Sequence, residues 1–175
     1  MWKDDSKIMQ TFLTSTNSLN CAMSLDNKRL NKQILEGYQI LNVLSGRSKG
    51  GGWRNHPAVL MWKDYEHGLW QYIESMVGVA SMRGIKTENN VNNLNALYAQ
   101  CSVDWGNKHP AFWRDEHKVM RIITTHRANL FKKDPLYYTK YQYAVDSPYN
   151  TPCCPDKKEP CKYYWPTHEL MKGVQ

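Results

Sequence analysis

No run of the 175-residue chain approaches the ~18 consecutive apolar residues that a membrane-spanning helix needs. No basic-then-apolar leader opens the sequence, so a soluble, cytoplasmic protein with no membrane partner is expected. Cysteines are few, and they suggest no disulfide framework. Cys21 and Cys101 stand far apart in helical-looking segments, and only Cys153, Cys154 and Cys161 cluster. Acidic residues are in deficit: 16 Asp+Glu against 23 Lys+Arg leave a net charge of +7, which favours a polyanionic partner. Phe is scarce beside eleven Tyr and seven Trp. The aromatic side chains therefore mostly carry a polar handle, suited to a core with one wet end or to stacking on bases.

What the chain does have is helical periodicity. "MWKDDSKI" (1–8) is polar and without period and reads as an N-terminal extension; residues 9–175 read as one domain with a Pro/Cys-rich tail from about 147. "MQTFL" (9–13) reads as a short extended segment. "TSTNS" then supplies turn and cap chemistry for a first long helix over Asn20–Leu44. A Gly-rich basic loop (45–55) leads to Pro57, which suits the first turn of a second helix running to Met82 with Gly84 as its C-terminal cap. "TENNVNNLNALYAQC" is a weaker helix, and the stretch from His109 to Phe131 repeats the Pro-at-start signal at Pro110 as a third strong helix. The expected fold class is all-α, a compact single-domain bundle of about three long helices with irregular ends.

On the first helix, Leu30, Ile34, Gly37, Tyr38, Leu41 and Leu44 share an arc at ~100° per residue and form the expected buried face. Arg29, Lys32 and Glu36 fall on a separate stripe. One reading is a solvent-exposed ion pair between Lys32 and Glu36. The other notes that Ile40 and Val43 continue the stripe, so that Glu36 sits where a basic region meets an apolar wall. A carboxylate there could act as a general base or balance a developing sugar cation, while Lys28, Arg29 and Lys32 hold phosphates.

The remaining signals each carry two readings. "SGRSKGGGWRN" could wrap a phosphate with backbone N–H groups, with Arg47, Lys49 and Arg54 adding charge, or be a plain surface connection. His56 and His109 precede Pro at helix starts, where capping is the ordinary role. Arg127, Lys132 and Lys133 near a helix end suit DNA contacts and equally offset the helix dipole. "YYTKYQY" and "CKYYWP" fit either a DNA-facing surface or a tail packed over the bundle. Cys153, Cys154, Cys161 and His168 offer zinc-type donors, but the spacing is no standard ribbon or finger, so no cofactor or metal is expected.

"MQTFL", "SLDNKRLNKQILEGYQILNVLSG", "GWRNHPAVLMWKDYEHGLWQY", "RGIKT", "HPAF", "THRANLFKKDP" and "YYWP", in that order, resemble small phage and bacterial proteins related to endonuclease V-type pyrimidine dimer DNA glycosylases. The likeness covers residues 9–166, with "LDNKRLNKQ" and "WRNHPAVLMW" as its specific motifs. It implies an all-α enzyme that binds duplex DNA and flips out a nucleotide. A terminal α-amine then breaks the glycosylic bond, and β-elimination nicks the strand. It also places the essential helix glutamate at Glu36 and brings Arg54 and His56 forward as site residues.

Two features depart from the family pattern. A bulky Trp2 follows Met1, and the matching segment begins at Met9 and Gln10, so the implied amine is that of Met1 or Met9. Leu35 and Gln39 stand where arginines flank the family's glutamate. Lys32 is the nearest side-chain amine and ranks behind the terminal one. The expected function is thus a glycosylase, with AP-lyase activity where an amine is available, acting on damaged or modified pyrimidines, an unusual phage base included. The alternative is a non-catalytic phage factor binding DNA or a host protein on the same scaffold.

Overall fold

The computed structural model describes residues 9–48, 51–146, 151–152 and 163–166. The described residues form six α-helices: α1 (Ser18–Ser24), α2 (Asn27–Leu44), α3 (Pro57–Leu60), α4 (Glu66–Met82), α5 (Glu88–Cys101) and α6 (Glu116–Lys133). Two-residue strands β1 (Val145–Asp146) and β2 (Thr151–Pro152) pair antiparallel, and otherwise the architecture is the expected all-α one.

Each of the three long helices expected from periodicity is broken near its start, and each break has a local cause. The first stops at Leu25, whose extended backbone (φ −84°, ψ 145°) lets Asp26 cap a new helix by accepting the Arg29 N–H at 3.0 Å. Arg83 and Tyr137 side chains donate to the Leu25 carbonyl freed there. The second is divided by Asp64, in the left-handed region at φ 68°, with the Glu66 carboxylate accepting its N–H. In the third, Pro110 opens only a 3₁₀ turn (Ala111–Arg114), and Asp115 caps α6 proper through the Lys118 N–H. The Asn-rich stretch is a full helix, α5. Gly84 (φ 67°) closes α4 as anticipated: its N–H donates to Ser81 O and that of Ile85 to Ala80 O, the paired bonds of a Schellman cap.

α2 packs against α4 and α5, and α1 against α4. The approach of α2 to α4 is close at Gly37, where a Cβ would stand 2.5 Å from Ile73 Cγ1. Leu30, Ile34, Gly37 and Leu41 are buried as expected, while Tyr38 and Leu44 of the same expected face are half-buried. Ile40 and Val43, on the stripe read as a boundary, are buried too.

Over Gln33 and Glu36 of α2 lies the aperiodic segment 9–14, which runs through the interior with all six residues buried. A buried stretch without secondary structure needs partners for its backbone groups, and side chains from three directions supply them. Gln33 on α2 accepts the Phe12 N–H, the Tyr72 hydroxyl on α4 has its one hydrogen between the Phe12 carbonyl and Gln33 Oε1, and on α6 His126 Nδ1 accepts the Leu13 N–H while Arg127 donates to Thr14 O. Trp62 Nε1 adds a bond to the Thr11 hydroxyl. Residues 163–166 return to this core, with Tyr164 and Trp165 buried and the Tyr164 N–H on Thr125 Oγ1. This part of the aromatic tail is packed over the bundle.

Candidate active site

Glu36 sits on α2 under segment 9–14, with only 5% of its surface exposed. Its Oε1 lies 3.5 Å from Lys32 Nζ, and its Oε2 accepts from Gln33 Nε2 at 2.9 Å. The backbone N–H of Gln10 also serves the carboxylate. Burial penalises the charged form more than Lys32, Gln10 and Gln33 favour it, and the pKa is pushed up to about 7 from an ordinary 4.5. The exposed ion pair is therefore not what forms. Lys32 keeps 41% of its side chain in solvent, whereas its partner is enclosed. A carboxyl poised near neutrality can both take and give a proton at working pH.

Of the basic residues singled out from the sequence, Lys32 alone pairs with Glu36. Arg29 turns the other way to Asp26, 2.6 Å away, and lies over the Tyr138 ring. Lys28, Arg47 and Arg54 are exposed. His56 is half-buried and caps α3, its Nδ1 accepting the Ala58 N–H at 3.2 Å, between the rings of Trp53 and Trp165. Burial lowers its pKa. His109 is exposed. Arg127 is committed to Thr14 O and to the Tyr141 ring, so it holds the buried segment in place. Lys132 and Lys133 lie in the last turn of α6. Met9 is buried, but the backbone nitrogen at Glu36 belongs to Gln10.

Met1, Lys49, Cys153, Cys154, Cys161 and His168 lie outside the described residues. Among the described residues, no group of three or more His, Cys, Asp or Glu side chains is placed to hold a metal ion. Nor is any helix there long and apolar enough to cross a membrane.

Sequence reasoning missed Gln33, Tyr72 and His126. Gln33 had one usable signal, its position three residues before Glu36 on the same helix. Tyr72 falls on the apolar period of its helix, where burial alone accounts for it, and nothing local marks His126 as a partner of residue 13. A shallow apolar cleft between the 111–114 turn and α6, lined by Leu13, Phe112, Trp113, Val119 and Ile123, does not reach Glu36.

The described residues thus form an all-α domain that encloses one carboxyl, Glu36, with a pKa pushed up to about 7 and a half-exposed Lys32 beside it. Residues 9–93, just under half of the 175-residue chain, match the family model described as pyrimidine dimer DNA glycosylase. The match spans segment 9–14, α1 to α4 and the start of α5, and so includes Glu36, Lys32 and Gln33. No curated protein and no solved structure matches the chain.

Proposed function

We propose that the protein is a DNA glycosylase that releases a damaged pyrimidine from duplex DNA, with Glu36 as its acid–base residue. The observation that carries this reading is the environment of Glu36. A carboxyl whose pKa lies at about 7 takes the nucleophile's proton as that nucleophile bonds to the sugar C1′. The C1′–N electron pair leaves with the base, and Glu36 returns the proton to it. Its charged form also balances cationic character at the sugar. Lys28, Arg47 and Arg54, all exposed, supply phosphate contacts.

Strand nicking requires an amine in place of water as nucleophile. The backbone nitrogen at Glu36 is that of Gln10. Inside a peptide bond its lone pair is delocalised and does not attack carbon; as a first residue it would be a positioned amine. Lys32 Nζ, 3.5 Å from Oε1, is the side-chain amine at the site. We therefore propose base release by the chain as it stands, and lyase activity only where one of these amines reaches C1′.

The test incubates the wild-type protein and Glu36→Gln with end-labelled duplexes carrying a cyclobutane pyrimidine dimer, an abasic site or no lesion, with and without borohydride. Expected are cleavage of one glycosylic bond of the dimer, read as a strand break after hot alkali because the freed pyrimidine stays tethered through the cyclobutane ring, and its loss, by ~10²-fold or more, in a variant that still folds and binds. A borohydride-trapped adduct mapped to Lys32 or to a terminal amine would establish the lyase step. Silence of the folded wild-type protein on every duplex would sink the enzyme reading in favour of a binding factor on the same scaffold.

A further inference from the structure

Gln33 is fully buried, and its neighbours leave its amide a single orientation. The Phe12 N–H can only donate, and it lies 2.8 Å from Oε1; the Gln10 carbonyl can only accept, and it lies 3.0 Å from Nε2. The remaining Nε2 hydrogen is aimed at Glu36 Oε2 at 2.9 Å. Nε2 has no lone pair to offer, so Oε2 must be an acceptor in both charge states of the carboxyl. The other oxygen, Oε1, faces the Lys32 ammonium, also a pure donor, but at 3.5 Å and on a side chain 41% exposed that can turn to solvent when Oε1 is protonated, whereas the Gln33 amide is fixed on both sides.

We propose that Gln33 is a positioning residue that commits Oε2 of Glu36 to a permanent acceptor role and leaves Oε1 as the oxygen that carries and exchanges the proton. The division between the oxygens rests on hydrogen-bond geometry, and the use made of it rests on the glycosylase reading above. Four groups face the pair. Lys32 comes from the same helix and the Gln10 and Phe12 backbones from segment 9–14. From α4, the buried Tyr72 hydroxyl lies 2.8 Å from Gln33 Oε1 and steadies the far side of the amide. In the neutral carboxyl, Oε2 is then the carbonyl oxygen and Oε1 the hydroxyl. The acidic hydrogen is presented on the Lys32 side, away from the core, where a substrate could meet it.

Two spectroscopic readouts test this without requiring activity. With ¹³C-labelled glutamate, the Glu36 titration is followed by NMR and the C=O stretch of its neutral form by infrared difference spectroscopy. In Gln33→Met the carbonyl loses its donor: its stretch moves to higher frequency and the midpoint rises by about one pH unit. Tyr72→Phe, which keeps the packing and removes only the hydroxyl, shifts both in the same direction by less, and it decides the matter alone if Gln33→Met does not fold. On a dimer-containing duplex, the acid limb of the kcat profile follows the midpoint while KM stays constant. An unmoved carbonyl stretch in the folded variants would overturn the proposal. Spectral shifts in a protein inactive on every duplex would support the oxygen assignment and overturn the glycosylase reading instead.

Discussion

Glu36 and His126 pull stability in opposite directions as pH changes. Glu36 has a pKa of about 7 in the fold against 4.5 ordinarily, so the folded chain binds its proton more tightly than the unfolded chain. The resulting stability is complete below pH 4.5 and is lost as pH rises through about 7, a swing on the order of 3 kcal/mol. His126 is buried completely and its pKa falls from 6.5 to about 3. The stability it confers is present above pH 6.5 and drains as pH falls toward 3, by on the order of 5 kcal/mol. Between pH 4.5 and 6.5 the two slopes oppose each other, and below 4.5 the histidine acts alone. Urea titrations across this range check the carboxyl half: Glu36→Gln should gain on the wild type from pH 4.5 to 7 and hold its advantage above. A stability difference that ignores pH would mean that Glu36 titrates normally in the fold. The lone acid among cations was visible in the sequence. Its burial was not, because the residues that cover it, 9 to 14, have no period from which a face could be read.

At the scale of elements, helical periodicity located every long helix and missed the interruptions inside them. Apolar spacing survives a short interruption, so the first and second helices read as continuous through Leu25 and Asp64. The cues that end them are an Asp cap and one left-handed residue, each a single-residue event inside an otherwise regular pattern. The contact between α2 and α4 was likewise hidden, since glycine in a helix normally marks weakness. At Gly37 it marks proximity to Ile73. Gly37→Ala therefore sets a helix-propensity gain of ~1 kcal/mol against overpacking of about 1–3 kcal/mol. The expected outcome is net destabilisation in a thermal melt, a penalty that disappears when Gly37→Ala is made in an Ile73→Ala background, which lacks the Cγ1 and Cδ1 atoms the new Cβ would meet. A variant as stable as the wild type would show that α2 and α4 can separate at no cost.

For the whole molecule, the net charge of +7 pointed to a polyanion without saying which cations face it. The fold divides them. Arg29 holds Asp26, Arg83 holds the carbonyls of Met23 and Leu25, and Arg127 holds Thr14 and stacks on Tyr141. These arginines are part of the framework, and a charge count cannot tell them from cations turned to solvent, such as Lys28, Arg47 and Arg54. Each phosphate contact releases a counterion on binding, so the slope of log affinity against log salt counts contacts. Arg54→Ala should weaken binding to a dimer-containing duplex and make that slope shallower by about one. Arg127→Ala should leave the slope unchanged and lower the melting temperature, because it strips the donor from a buried carbonyl. Fluorescence anisotropy over a salt series, paired with melts of both variants, separates the two classes. The reverse pattern would place the DNA path over α6 instead of over the loop that follows α2.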